Sequence, residues 1–285
     1  MPVRPRLKHR VHVLIRGGRP PCPLRPKSPS HNSPRLVGLP GAPVPADVRT
    51  EEEFKSDPQL IPTAHRHAST GVEVWCTRYA GQPIVVLCQS GGTSSQAVAA
   101  RLRHEGLEAQ TLEGGYGAWR EFRQPLVRAS KIPRRDDEGR TVWVTRARPK
   151  VVRVACPWLI RRFIDPSAVF LFVPPGEAAG VAEHAKAIPF DIEGSFWFDR
   201  GEKTTFDVMV EEFGLVMEPL ARLALIVRGA DAGRLDLTQQ SAGLLATCLG
   251  YSRMYRDDLA QLAAAMPQFD ALYRWSRDAV DERHG

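Results

Sequence analysis

The chemistry of this sequence concentrates first at Cys88-Gln89-Ser90-Gly91-Gly92-Thr93-Ser94-Ser95, a thiol at the head of a run of small or polar residues. The run follows the all-apolar Ile84-Val85-Val86-Leu87 and precedes Gln96-Ala97-Val98-Ala99-Ala100-Arg101-Leu102, which has good helix propensity. The pattern predicts a buried parallel strand, a tight loop and a helix. Backbone N–H groups of such a loop converge on one point, and the helix adds its positive end. Both stabilise an anion, so the thiol's pKa falls and a thiolate, or a persulfide formed on it, is favoured. Gly91 and Gly92 permit the backbone angles and close approach this requires. Cys88 is therefore the catalytic candidate, with Gln89, Ser90, Gly91, Gly92, Thr93 and Ser94 as its cradle. A buried cysteine that merely packs at a strand end is the plainer alternative.

Three further segments flank the loop in order: Asp47-Val48-Arg49-Thr50-Glu51-Glu52-Glu53-Phe54, Leu60-Ile61-Pro62-Thr63-Ala64, and Thr111-Leu112-Glu113-Gly114-Gly115-Tyr116-Gly117-Ala118-Trp119. Together they resemble the rhodanese (sulfurtransferase) family over about residues 44–126. The resemblance implies that Cys88 accepts a sulfane sulfur as a persulfide. It also implies that the backbone of 89–94 holds the charge, that Asp47 and Arg49 support the loop, and that the partners are a small-molecule or protein sulfur donor and acceptor. No cofactor and no metal are implied. A cysteine phosphatase would need an Arg in the loop to clamp phosphate, and neither Thr93 nor Ser94 is one. The same neutrality points to a donor other than anionic thiosulfate. Two departures are expected to weaken the fold: Pro43-Val44-Pro45-Ala46 stands where an apolar first strand belongs, and His65-Arg66-His67 where an apolar strand end is usual. An inactive rhodanese fold acting as a docking module is the corresponding alternative.

Arg128 to Arg140 is charged and nearly without apolar residues, the natural linker. Beyond it, Thr141–Thr145 and Val169–Val173 are β-rich, and Pro157–Ile164 predicts a helix with Pro157 in its first turn. Apolar residues recur at three and four over Leu220–Val227, Gly243–Leu249 and Asp257–Trp275, giving a helical C-terminal texture. Trp143–Lys150, Ala155–Asp165, Ile226–Asp231 and Asp270–Trp275 are similar to the C-terminal domain of ChrB-type chromate-resistance proteins, over about 141–280. That resemblance implies an oxyanion such as chromate as a partner, for which Arg146, Arg148, Arg161 and Arg228 are the candidate positions. Salt bridges tying helices to a strand are the equally weighted alternative. A chromate-responsive regulator is the alternative function, but no helix-turn-helix with a basic recognition helix is visible in the first 140 residues.

The elements imply an α/β fold: a rhodanese-like parallel sheet flanked by helices, followed by a mostly helical α+β second domain. The boundaries read as a disordered basic tail 1–43, the rhodanese-like domain 44–127, a linker 128–140 and the ChrB-type domain 141–285. The formal charge of +7 belongs to the tail, since residues 1–46 hold nine Lys and Arg and no acid, and the remainder carries 30 bases against 32 acids. No basic field over the folded part supports nucleic-acid binding. The tail's apolar run, Val11 to Ile15 with His12 interrupting, falls short of the roughly 7–15 of a signal core, and no run reaches the roughly 18 of a membrane span. Five widely spaced cysteines without a CxxC pair favour a reduced, cytoplasmic protein. The Arg, Pro and Gly of the arm are also what GC-rich DNA yields upstream of a gene, so a start further downstream is expected.

Overall fold

The computed structural model describes residues 33–282. Most of the basic arm, with Cys22, lies outside the described residues. Its described part, 33–43, is not a tail. Helix α1 (Ser33–Leu36) leads to the buried Val37, whose carbonyl accepts a hydrogen bond from Tyr273 Oη at 3.4 Å, while Arg277 donates to the Arg35 carbonyl at 2.7 Å.

The N-terminal half runs β1 (Val44–Asp47), α2 (Glu51–Ser56), β2 (Gln59–Leu60), β3 (His65–Arg66), α3 (Val72–Trp75), β4 (Ile84–Leu87), α4 (Thr93–His104), β5 (Ala109–Thr111), α5 (Gly115–Glu121) and β6 (Val127–Arg128). Four strands form a parallel sheet in the order β3-β1-β4-β5, and β2 pairs antiparallel with β6. The proline-interrupted segment thus becomes an interior strand, contrary to expectation. The reason lies in the ladder. Val44 and Val48 donate to carbonyls of Pro83 and Leu87 on the β4 side, so by alternation residue 45 faces the β3 side. There β3 begins only opposite Ala46, and the proline has no acceptor to serve. The polar His65 and Arg66 likewise do form β3, a short edge strand.

Alternation also splits β4 between two cores. Ile84, Val86 and Cys88 pack with Val44, Ala46, Val98 and Leu102, under α3 and α4. Val85 and Leu87 face the opposite way, into a cluster with Leu112, Trp119 and the C-terminal residues Ile160 and Phe163. One face of the first sheet is therefore covered by the second half of the chain.

That second half runs β7 (Val142–Arg146), α6 (Val151–Leu159), β8 (Val169–Val173), α7 (Ala178–His184), β9 (Ile188–Pro189), α8 (Thr205–Phe213), α9 (Glu218–Asp231), α10 (Gln239–Met254) and α11 (Asp258–Asp278). The strands form a second parallel sheet, β8-β7-β9, and the long helices complete a mostly helical body. Helix α6 starts six residues before Pro157, which sits inside it rather than in its first turn. Burial of Val151, Val152, Val154, Ala155 and Cys156 drives that earlier start, and the helix opens after the proline into a π-helical turn, Ile160–Ile164. Segment 128–140 is fastened to both halves. Its residues Arg128, Lys131 and Arg135 contact the Glu211 carbonyl at 2.9 Å, Glu212 at 2.7 Å and the buried Asp165 at 3.1 Å.

Candidate functional site

Cys88 directly follows β4, and its loop is held from behind by the start of α5. Tyr116 N donates to the Cys88 carbonyl at 2.9 Å and Gly117 N to the Gln89 carbonyl at 2.8 Å. The approach is close enough that a Cβ on Gly115 would run into the Cys88 carbonyl and Gly91 N, and Gly91 sits at φ +70° against Gly114 and Gly115. The glycine pair at the head of α5 is thus what lets the cysteine loop lie flat. Thr93 and Ser94 stand exposed on the first turn of α4, while Gln89, Gly91 and Gly92 are half-buried beneath them.

Cys88 as a whole is 6% exposed. Cys88 Sγ donates to Ser95 Oγ at 3.2 Å, and Ser95 Oγ donates to the Gly92 carbonyl at 3.0 Å. Burial alone would raise the thiol's pKa, but the Ser95 hydroxyl and the backbone N–H groups of Ser95, Ser90 and Gly92 outweigh it and leave Cys88 below an ordinary cysteine. On ionisation the Ser95 proton can turn from the Gly92 carbonyl to the sulfur, so the charge gains a donor as it forms. Ser95 lies one residue beyond the stretch singled out from sequence. Its signal was available there, since a hydroxyl in the first turn of a helix faces back toward the loop that precedes it.

Asp47 and Arg49 form a buried pair, with Arg49 Nη2 2.6 Å from Asp47 Oδ2. Arg49 also donates to the Gln59 carbonyl at 2.7 Å and lies 3.6 Å over the ring of Tyr116, whose hydroxyl donates to Asp57 Oδ2 at 2.8 Å. The pair links the end of β1 to α5, the helix that backs the cysteine loop. Its role there is to position.

The four arginines of the second half have different partners. Arg146 joins Asp191 at 3.0 Å, with Arg153 on the same carboxylate at 3.3 Å. Arg228 joins Asp207 at 2.6 Å. Arg148 donates to the carbonyls of Ser252 and Tyr255. All three are committed inside the protein, whereas Arg161 lies at the far end of α6, in the π-helical turn. Beneath the first group Cys156 is fully buried, and burial, then the charges of Asp191, Asp231, Asp199 and Asp207, push its thiol well up. Among the described residues no group of three or more His, Cys, Asp or Glu is placed to hold a metal ion, and no helix is long and apolar enough to cross a membrane.

Comparison with known proteins matches residues 40–122 to the rhodanese-like domain and residues 143–276 to the ChrB C-terminal domain. Protein ChrB of Cupriavidus metallidurans is 34% identical over 174 residues, covering 54% of this chain and 50% of its own length. The chain thus spans half the length of that curated relative. Among solved structures, a rhodanese-related protein from Thermoplasma volcanium is 26% identical over 30% of this chain and 82% of its own, with a TM-score of 0.27. A rhodanese-like domain protein from Staphylococcus aureus is 28% identical over 27% of this chain and 74% of its own, with a TM-score of 0.24.

Proposed function

Since the chain joins a rhodanese-like domain to a ChrB C-terminal domain, we propose that it is a sulfurtransferase serving oxyanion defence, chromate resistance being the defence that the second domain suggests. The observation that carries the reading is the Cys88 thiol in its glycine-held loop, within hydrogen-bond reach of Ser95 Oγ at 3.2 Å. The Cys88 thiolate attacks the outer sulfur of a donor; the new S–S bond forms as the donor's bond to that sulfur breaks. With thiosulfate the leaving group is sulfite, and one negative charge stays on the Cys88 persulfide. An acceptor thiolate then takes the terminal sulfur and returns Cys88 to a thiolate.

Loop 89–94 holds no Lys or Arg. A dianionic donor finds no counter-charge there, so a singly charged persulfide is expected to turn over faster than thiosulfate. Mass spectrometry of the intact chain after incubation with each donor should show one added sulfur on Cys88, and Cys88→Ser should abolish both the adduct and the transfer. Unchanged turnover by that variant overturns the assignment. The 6% exposure of Cys88 favours a second reading, a docking module without turnover. A folded wild-type chain that never forms the adduct would favour it.

A further inference from the structure

Between the two halves lies a cavity of about 340 Å³. Val85 and Leu87 of β4, Leu112 just after β5 and Trp119 of α5 line its wall, and the segment before β1 supplies Val37 and Leu39. Cys88 packs on the other side of that sheet, so nothing here depends on sulfur transfer. The cavity wall is mostly apolar; its polar side chains are Thr63, Gln82 and the two cations, Arg161 and Arg162.

Those arginines differ. Arg162 is neutralised by a forked pair to Asp270, at 2.7 and 2.8 Å. Arg161 is half-buried and has no carboxylate within 4.0 Å among the described residues. Its contacts are the Ala168 carbonyl at 3.4 Å and the face of Phe170, 5.0 Å from the ring centre. Asp165 is nearby but already accepts from Thr141 and Ser167 and pairs with Arg135. A half-buried cation without a counter-charge is costly unless something supplies one.

Its backbone is unusual as well. Arg161 and Arg162 sit in the π-helical turn, and Thr63, at φ +64°, donates its N–H to the Phe163 carbonyl of that turn at 2.9 Å. Two uncommon backbone states are thus bonded to each other at the cavity wall, as is frequent where a chain is shaped for a ligand.

We propose that this cavity binds an organic monoanion, a carboxylate or sulfonate with a hydrocarbon or aromatic body, whose head group pairs with Arg161. Burial and the adjacent Arg162 both pull down the Arg161 pKa, so an arriving anion restores what its surroundings oppose. A cavity of about 150 Å³ takes one benzene ring, so this one fits two rings or a medium-length chain. Inorganic oxyanions are disfavoured, because a dianion against apolar walls would leave most of its oxygens without donors.

Calorimetric titration of the full chain with decanoate and with decanol, which differ only in the head group, tests the site. Decanoate should bind saturably, on the order of 10–100 µM, and more tightly than decanol. Arg161→Gln should weaken decanoate by roughly ten- to hundredfold and leave decanol unchanged. Leu112→Trp, which fills the cavity, should remove both. Should Arg161→Gln fail to fold, Arg161→Lys keeps the charge and should keep the preference for decanoate. Absence of saturable decanoate binding, or equal affinity for acid and alcohol in the wild type, overturns the proposal; so does an Arg161→Gln variant that folds and binds decanoate undiminished.

Discussion

Two of the chain's strand–loop–helix junctions, β4 to α4 and β7 to α6, are filled in opposite ways. After β4 the loop is uncharged, and the anion it favours is a thiolate held by a serine and backbone N–H groups. After β7 the junction carries Arg146, Arg148, Lys150 and Arg153, and Asp191 and Asp258 meet three of these cations while Asp231 accepts from Val152 N at 3.3 Å. The cysteine of that junction, Cys156, lies within the helix, sealed off. Neutral backbone donors leave room for an outside anion, whereas charged side chains attract internal partners and close the junction.

The largest test of that contrast is thiol labelling. Native chain treated with iodoacetamide should be modified at Cys88, with Cys156 slower by roughly a thousandfold or more because it reacts only after opening of α6; comparable rates would erase the distinction. Next in size, Asp191→Asn strips the shared counter-charge from Arg146 and Arg153 and should lower stability by about 2–3 kcal/mol in denaturant unfolding, with Cys88 labelling unchanged. Gly115→Ala acts on the other junction. Its Cβ meets the Cys88 carbonyl at a backbone angle of φ +59°, so about 2 kcal/mol of stability and much of the Cys88 reactivity should go together. The smallest effect belongs to Ser95→Ala. Losing a donor to the thiolate favours the thiol, so the pH midpoint of Cys88 labelling moves upward and the rate at neutral pH falls several-fold, with stability nearly unchanged.

The first junction was legible because its information is local: an apolar run, a cysteine, two glycines and helix formers follow one another along the chain. What the sequence reading misplaced depends on neighbours far away. Pro45 looks disqualifying until the short reach of β3 shows that its missing N–H faces no acceptor. Residues 35–43 look like a tail until Tyr273 and Arg277 are seen to hold them. Segment 128–140 looks like a linker because its polar residues find partners in Glu211, Glu212 and Asp165, all distant in sequence. Strand β9 is only two residues long, too short for any periodicity to register. For Arg146, Arg148 and Arg228 the sequence leaves an oxyanion site and internal pairing equally weighted, since their partners are 45, 107 and 21 residues away.

The shared face of the first sheet matters at the ribosome. Strand β4 is synthesised well before the π-helical turn that covers Val85 and Leu87, and at about 5–20 residues per second the interval is roughly 4–15 s. During that time the nascent sheet has only first-half residues such as Tyr116 and Trp119 of α5 to set against this apolar face. A chaperone that holds nascent chains has a defined target there, and a message truncated after β6 would leave that face only partly covered for the life of the product.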